Sequence, residues 1–378
     1  MGKRSIIGFI GLGSLALALT GCGIFQGEQV LKEIDNPPEE ATYTDNLDEV
    51  SEESQEQENN TTDENEAGEV TEPETGESGD TGEEVDATVK RQLYLLDANG
   101  MVVPQTLELP KAESNEVAKQ ALEYLVKGGP VTELLPNGFE AVLPTGTEII
   151  SLNLKDGTLT VDVSKEFAEY RPEDEQKILQ AMTYTLTQFE NVERIKLWIN
   201  GQVKEEMPVN GTPIVDGYSR ANGINIHSKD GVDLMDSEAV TLYYPAQDGD
   251  LVYHVPVTQH VETSDLEDYS SIVQALVDGP SFELNLLHIF NPGTSLAEDP
   301  TVENGVINLT FNENILNNVE EASITDEVME TLVLTLTDIS GIDAVNVEVE
   351  NIEQVFNEGG TAYTEPVTRE TFVPTESL

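Results

Sequence analysis

Polar and apolar positions change character at about Gln92, and from there on the same pattern occurs twice. The first copy opens with Leu93-Tyr94-Leu95, an Asn99-Gly100 pair and Val102-Val103-Pro104. The second opens with Leu242-Tyr243-Tyr244, an Asp248-Gly249 pair and Val255-Pro256-Val257. Asn-Gly and Asp-Gly favour two-residue hairpin turns, whose central positions need positive φ. A helix is predicted next in each copy. Val117, Ala121 and Leu125 share a face with Ala118 and Leu122, Ser114 or Asn115 suits the N-cap, and Gly128-Gly129-Pro130 is the expected stop. Copy two has Ile272, Ala275, Leu276 and Val277, then Gly279-Pro280.

A second hairpin follows. Leu152 and Leu154 lead to Asp156-Gly157, after which Leu159, Val161 and Val163 alternate with Thr160 and Asp162; in copy two Asn304-Gly305 precedes Ile307, Leu309 and Phe311. This alternation describes a strand with one wet face. Ile178, Met182, Leu186 and Phe189 form a helical stripe after a Pro172-Glu173-Asp174-Glu175 start. Val328, Leu332, Leu336 and Ile339 stand 150 residues later, with Thr185-Leu186-Thr187 matched by Thr335-Leu336-Thr337. The closing strands carry Ile195, Leu197 and Ile199, and Val345, Val347 and Val349. Each copy therefore reads β-β-α-β-β-α-β. A helix with one apolar stripe must cover a sheet face, so the fold class is α+β, two tandem two-layer domains with a mixed sheet covered by helices. The expected domains span residues 91–205 and 239–355, each long enough for its own core. Residues 206–238 read as a polar connector, with Gly223-Ile224-Asn225-Ile226 a candidate short strand, and 356–378 as a tail.

The pattern before the repeats is of two kinds. Lys3 and Arg4 precede a short apolar run, Ile6 to Leu19, which ends in Leu19-Thr20-Gly21-Cys22. This is the layout of a secretory signal. The small residues before Cys22 resemble the lipobox of bacterial lipoproteins. That resemblance implies cleavage after residue 21 and a diacylglyceryl thioether on Cys22, with membrane attachment through that residue on the extracytoplasmic face. The alternative is a plain signal peptide with an incidental Cys. Cys22 is the only cysteine, so no disulfide can form within the chain. From Glu28 to Asp86 there are about 23 acidic residues against one basic residue, Lys32. Such a segment buries too little apolar surface to offset its ordering entropy, and residues 22–90 read as a disordered acidic tether. A neutral coil of this length would span on the order of 45 Å, and charge repulsion extends it further.

Charge and chemistry exclude more than they select. The net charge of −55 argues against nucleic acid, because phosphate binding depends on cations that release counterions. The four histidines, His227, His254, His260 and His288, lack metal-ligand spacing, so no metal and no cofactor is expected. There is no Gly-x-Ser-x-Gly elbow, and Gly128-Gly129-Pro130 ends a predicted helix instead of opening one, unlike a phosphate loop. Asp162 and Glu166 are a conceivable acid–base pair, but their copy-two counterparts near Thr310 and Asn314 are not acidic. No catalytic residue is assigned, and no small-molecule substrate is expected. Trp198, the only Trp, alternates with Leu197 and Ile199 and should point away from the helix-covered face. It is the candidate interface residue; the alternative is packing against the other repeat or the connector.

Gln92-Leu93-Tyr94-Leu95, Ala121-Leu122-Glu123-Tyr124-Leu125-Val126-Lys127-Gly128-Gly129-Pro130, Leu143-Pro144-Thr145-Gly146-Thr147 and Tyr184-Thr185-Leu186-Thr187-Gln188-Phe189 together resemble the GerM domain family, over nearly all of Gln92 to Val355. Copy two departs from the pattern, with a single Gly279 before Pro280 and no Leu before Pro292. The resemblance implies a non-enzymatic protein of sporulation and spore germination, with a fold like the ring-building domains of secretion systems. It also implies work between mother-cell and forespore membranes, supporting a trans-envelope complex with other sporulation envelope proteins. The rival readings are a binding module for cell-wall glycan or a small solute, and a cell-wall enzyme.

Overall fold

Residues 88–113, 116–228, 232–263 and 267–373 are described by a computed structural model. Cys22, the signal segment and the acidic stretch lie outside the described residues. Repeat 1 runs β1 (Thr88–Leu96), β2 (Val102–Pro110), α1 (Val117–Glu123), β3 (Ile149–Lys155), β4 (Thr158–Val163), α2 (Glu175–Leu186), β5 (Arg194–Ile199), β6 (Gln202–Val203) and β7 (Tyr218–Ser219). Repeat 2 runs β8 (Glu238–Asp248), β9 (Leu251–Val261), α3 (Tyr269–Val277), β10 (Thr301–Glu303), β11 (Val306–Phe311), α4 (Asp326–Leu336), β12 (Ala344–Val349) and β13 (Val367–Thr368). The β-β-α-β-β-α-β order is present in both, with short strands added at the C-terminal end of each repeat.

Each repeat has a mixed sheet: β3 pairs antiparallel with β4, and β4 parallel with β5; in repeat 2, β10, β11 and β12 do the same. The hairpins β1–β2 and β8–β9 form separate two-stranded ladders. Helix α2 lies between the two kinds of layer. Its Ile178, Met182 and Leu186 are buried, but so are Thr183, Tyr184 and Thr185. Thr185 Oγ1 accepts a hydrogen bond from the Tyr94 N–H of β1 at 3.0 Å, and Thr335 Oγ1 accepts from Tyr243 N–H of β8 at 3.0 Å. The repeated Thr-Leu-Thr thus fixes a hairpin to the outer side of each helix while the Leu faces the core.

Several local expectations change. Asp156-Gly157 (φ 49° and 75°) and Asn304-Gly305 (φ 52° and 80°) are the two-residue turns their sequence predicts. The Asn99-Gly100 turn is not. Asp97 N–H donates to Met101 O, and Asp97 Oδ1 accepts from the N–H groups of Asn99 and Met101. The aspartate side chain organises a three-residue loop in which Gly100 takes φ 74°. The loop between β8 and β9 is Gly249-Asp250, one position beyond the expected pair. Helix α1 ends at Glu123, well short of Gly128. Leu125 O accepts from the N–H groups of Val142 and Leu143, and Lys127 N–H donates to Leu143 O, so the chain leaves the helix to pair with an extended segment. Ser114 and Asn115 lie outside the described residues.

The stretches read as connector and tail are built into the repeats. After the Asn200-Gly201 turn (φ 49° and 72°), the chain returns along β5, where Tyr218 pairs with Ile195. After Asn351 it returns along β12, where Val367 pairs with Val345. Met207, Ile214, Tyr218, Ile224 and Val367 are buried. Gly223 to Ile226 forms no strand, yet Ile224 is fully buried and Thr258 N–H donates to its carbonyl. Buried residues of both repeats belong to one continuous core, not to two separate ones.

Candidate functional site

The junction between the repeats is polar at its centre. Asn225, held at φ 46°, lies between β2 and β9: its Oδ1 accepts from Val102 N–H at 2.8 Å, and its Nδ2 donates to Val102 O at 2.7 Å and Pro256 O at 2.8 Å. One amide therefore occupies facing backbone groups of both repeats. Arg220 and Arg369 then converge on Asp338. Arg220 Nη1 is 3.1 Å and Arg369 Nη1 is 3.9 Å from Asp338 Oδ1. Arg220 follows β7, and Arg369 follows β13, so the two returning strands deliver equivalent guanidiniums to one carboxylate.

Each guanidinium stacks on a tyrosine and donates to a hydroxyl, but the tyrosines come from different elements, α2 for Arg220 and β8 for Arg369. Arg220 lies 4.6 Å above the Tyr184 ring and donates through Nε to Thr187 Oγ1; Arg369 lies 5.1 Å above the Tyr243 ring and donates through Nη2 to its hydroxyl. Burial works against both charges, but the surrounding tyrosines and Asp338 outweigh it and hold both guanidiniums above their usual range. Burial chiefly, with Asp338 adding to it, pushes the Tyr184 phenol up, so it is neutral at physiological pH. A cleft of about 230 Å³ opens beside this cluster, lined by Tyr184, Arg220, Thr241 and Asp338 among others.

The sites singled out in the sequence are dispersed. The Asp162 carboxylate accepts from Gly201 N–H at 3.0 and 3.1 Å, which clamps the Asn200-Gly201 turn and gives this aspartate a structural use. Glu166 is held below the usual carboxylate range, chiefly by its hydrogen bond with Ser164. His254 is buried with Nε2 2.8 Å from Thr331 Oγ1 and Nδ1 3.3 Å from Glu330 Oε1, a contact between β9 and α4. His288 Nε2 meets Val277 O, and His260 Nδ1 lies 3.0 Å from Ser237 Oγ. No cluster of three metal-ligating side chains occurs among the described residues.

Trp198 stands on the open face of the repeat 1 sheet, 38% exposed, while Leu197 beside it is buried. Its antiparallel neighbour Val203 is 61% exposed. Arg194 and Lys196 project from the same face of β5, and Lys155 lies on β3 opposite Thr158. None of the ion pairs among the described residues involves Lys155, Arg194 or Lys196. The Asn225 and Arg220–Asp338–Arg369 contacts were missed in the sequence. Arg369 is the only Lys or Arg after Lys229, and that isolation was the available signal.

Comparison with known proteins agrees with this architecture. The profile of the Germane family, described as sporulation and spore germination, matches residues 92–205 and 241–355. The spore germination protein GerM of Bacillus subtilis (strain 168) is 43% identical over 365 residues, covering 96% of each chain. The solved tandem GerMN domains of the sporulation protein GerM from Bacillus subtilis superpose with a TM-score of 0.69 at 46% identity, over 75% of this chain and 98% of that one.

Proposed function

Because this chain belongs to the Germane family and so to sporulation and spore germination, we propose that it is a non-enzymatic scaffold of the sporulation envelope. In this reading lipidated Cys22 holds it on the extracytoplasmic face of the membrane, in the intermembrane space of sporulating cells. The acidic stretch 22–90 separates the folded repeats from that surface. The repeats support a trans-envelope complex between mother cell and forespore by binding other envelope proteins. The observation that carries the scaffold role is the polar centre of the molecule. Its buried and half-buried groups are spent on structure: Asn225 and the Arg220–Asp338 pair join the two repeats, Arg369 braces Asp338 from within repeat 2, and Asp162 clamps a turn. Trp198 is exposed, and in this reading its face binds the partner.

Deleting the gene in its own host is expected to lower the yield of heat-resistant spores or their germination while vegetative growth stays normal. Normal spores would overturn the reading and bring wall-glycan or solute binding forward. The anchor has its own test. Cys22→Ala should shift the protein from the membrane to the soluble fraction, and unchanged retention would remove the lipid from the account.

A further inference from the structure

The two repeats differ where their sheets face outward. At the position of Trp198 on β5, repeat 2 has Glu348 on β12; in place of Lys196 it has Asn346, and in place of Arg194 it has Ala344. The charge contrast extends further, since no Lys or Arg occurs between Lys229 and Arg369. The shapes differ as well. Repeat 1 offers Trp198 and Val203 as an exposed apolar projection beside Lys196 and Arg194, which make no ion pair among the described residues, although Arg194 Nη1 donates to Asp216 O at 3.1 Å. In repeat 2 the returning segment rises over β12 and leaves a cleft of about 520 Å³, lined by Asn346, Glu348, Glu353, Tyr363 and Pro366 among others. Glu348 and Glu353 are exposed and take part in no ion pair among the described residues.

We propose that Trp198 of one copy docks into the Asn346–Pro366 cleft of a second copy, with Lys196 and Arg194 meeting Glu348 and Glu353. The cleft has more room than an indole needs; its lining is mostly polar, with Tyr363 and Pro366 among the residues that supply its apolar part. The charges are opposite on the two sides, which selects this pairing over knob against knob or cleft against cleft. Both surfaces are open in a single chain, so the contact is between molecules. It joins two different patches and leaves one knob and one cleft free at the ends of every assembly, so growth does not stop at the dimer unless the ends meet. The contact goes beyond the envelope scaffold reading and does not depend on it.

Sedimentation velocity on the full chain carrying Cys22→Ser, in a mild detergent, tests the contact. The average mass should rise with protein concentration past that of a dimer. Trp198→Ala should weaken association by about thirtyfold, the scale for losing a central aromatic anchor, with an unchanged thermal melt. Lys196→Glu and Glu348→Lys should each weaken it, and a chain carrying both substitutions should recover it, because the swapped charges again oppose each other. A chain that stays monomeric at every concentration overturns the proposal. So does association indifferent to Trp198→Ala, or a doubly substituted chain no better than either single variant. Spore yield is not read in this experiment, so its failure leaves the proposed function standing.

Discussion

At the residue scale, single polar side chains join the repeats. Asn225 donates to two carbonyls of different repeats and accepts from one N–H. Asn225→Asp keeps the shape but turns the donor into a charged acceptor facing two carbonyls. It should destabilise the protein by about 3 kcal/mol in urea melts, the scale for leaving buried groups unpaired beside a charge. Asn225→Ala should cost less, because no repulsion replaces the lost bonds. Asp338 is the one carboxylate between two guanidiniums, all three partly exposed. Asp338→Ala should therefore cost about 1–3 kcal/mol, less than for a fully buried pair. Asp338→Asn, which keeps one acceptor, should fall between. None of these residues stands out in a list of polar positions; only the geometry separates Asn225 from any other loop asparagine.

At the element scale, the helix starts and the returning strands decide local order. Glu175, at the start of α2, has no exposed surface and accepts from the N–H groups of Asn210 and Thr212, the Thr212 hydroxyl and the Tyr170 hydroxyl. Burial alone would raise its pKa, but these donors outweigh burial and bring it below its usual 4.5. A carboxylate depressed in the folded state stabilises the protein above its unfolded pKa and loses that contribution as pH falls through the folded value. Urea melts through the acid range should show wild-type stability falling below pH 4.5, and Glu175→Gln should show a lower plateau with a shallower fall. Gly217 precedes β7 at φ 82°, and a Cβ there would meet Ile195 O at 2.9 Å. Backbone cannot yield as a side-chain tip can, so Gly217→Ala should cost about 1–3 kcal/mol and loosen β7 in hydrogen exchange. Most elements were legible because their apolar period is set by which face meets the core. The premature end of α1 and the Asp97 loop were not, because distant or side-chain partners win over local propensity there.

At the scale of the whole molecule, two copies of one sequence pattern share one core and one set of polar contacts. Calorimetry should therefore show a single cooperative transition, and Asn225→Asp should broaden or split it; two well-separated transitions in the unmodified protein would mean that the junction couples the repeats weakly. The amino-acid sequence by itself determined the duplication, the order of strands and helices, the α+β class and the family, and it placed Trp198 on an open sheet face. Those properties follow from periodicity and from motifs, which are local or repeat at a constant spacing. The tertiary structure alone decided that the connector and the segment up to residue 373 complete the two repeats. It alone brought Arg220 and Arg369 to Asp338 and left an aromatic projection on one repeat and an acidic cleft on the other. These depend on contacts at no constant spacing along the chain, as across the 118 positions that separate Arg220 from Asp338, for which the chain carries no periodic signal, since one hydrogen bond or one ion pair needs only a single residue at each end.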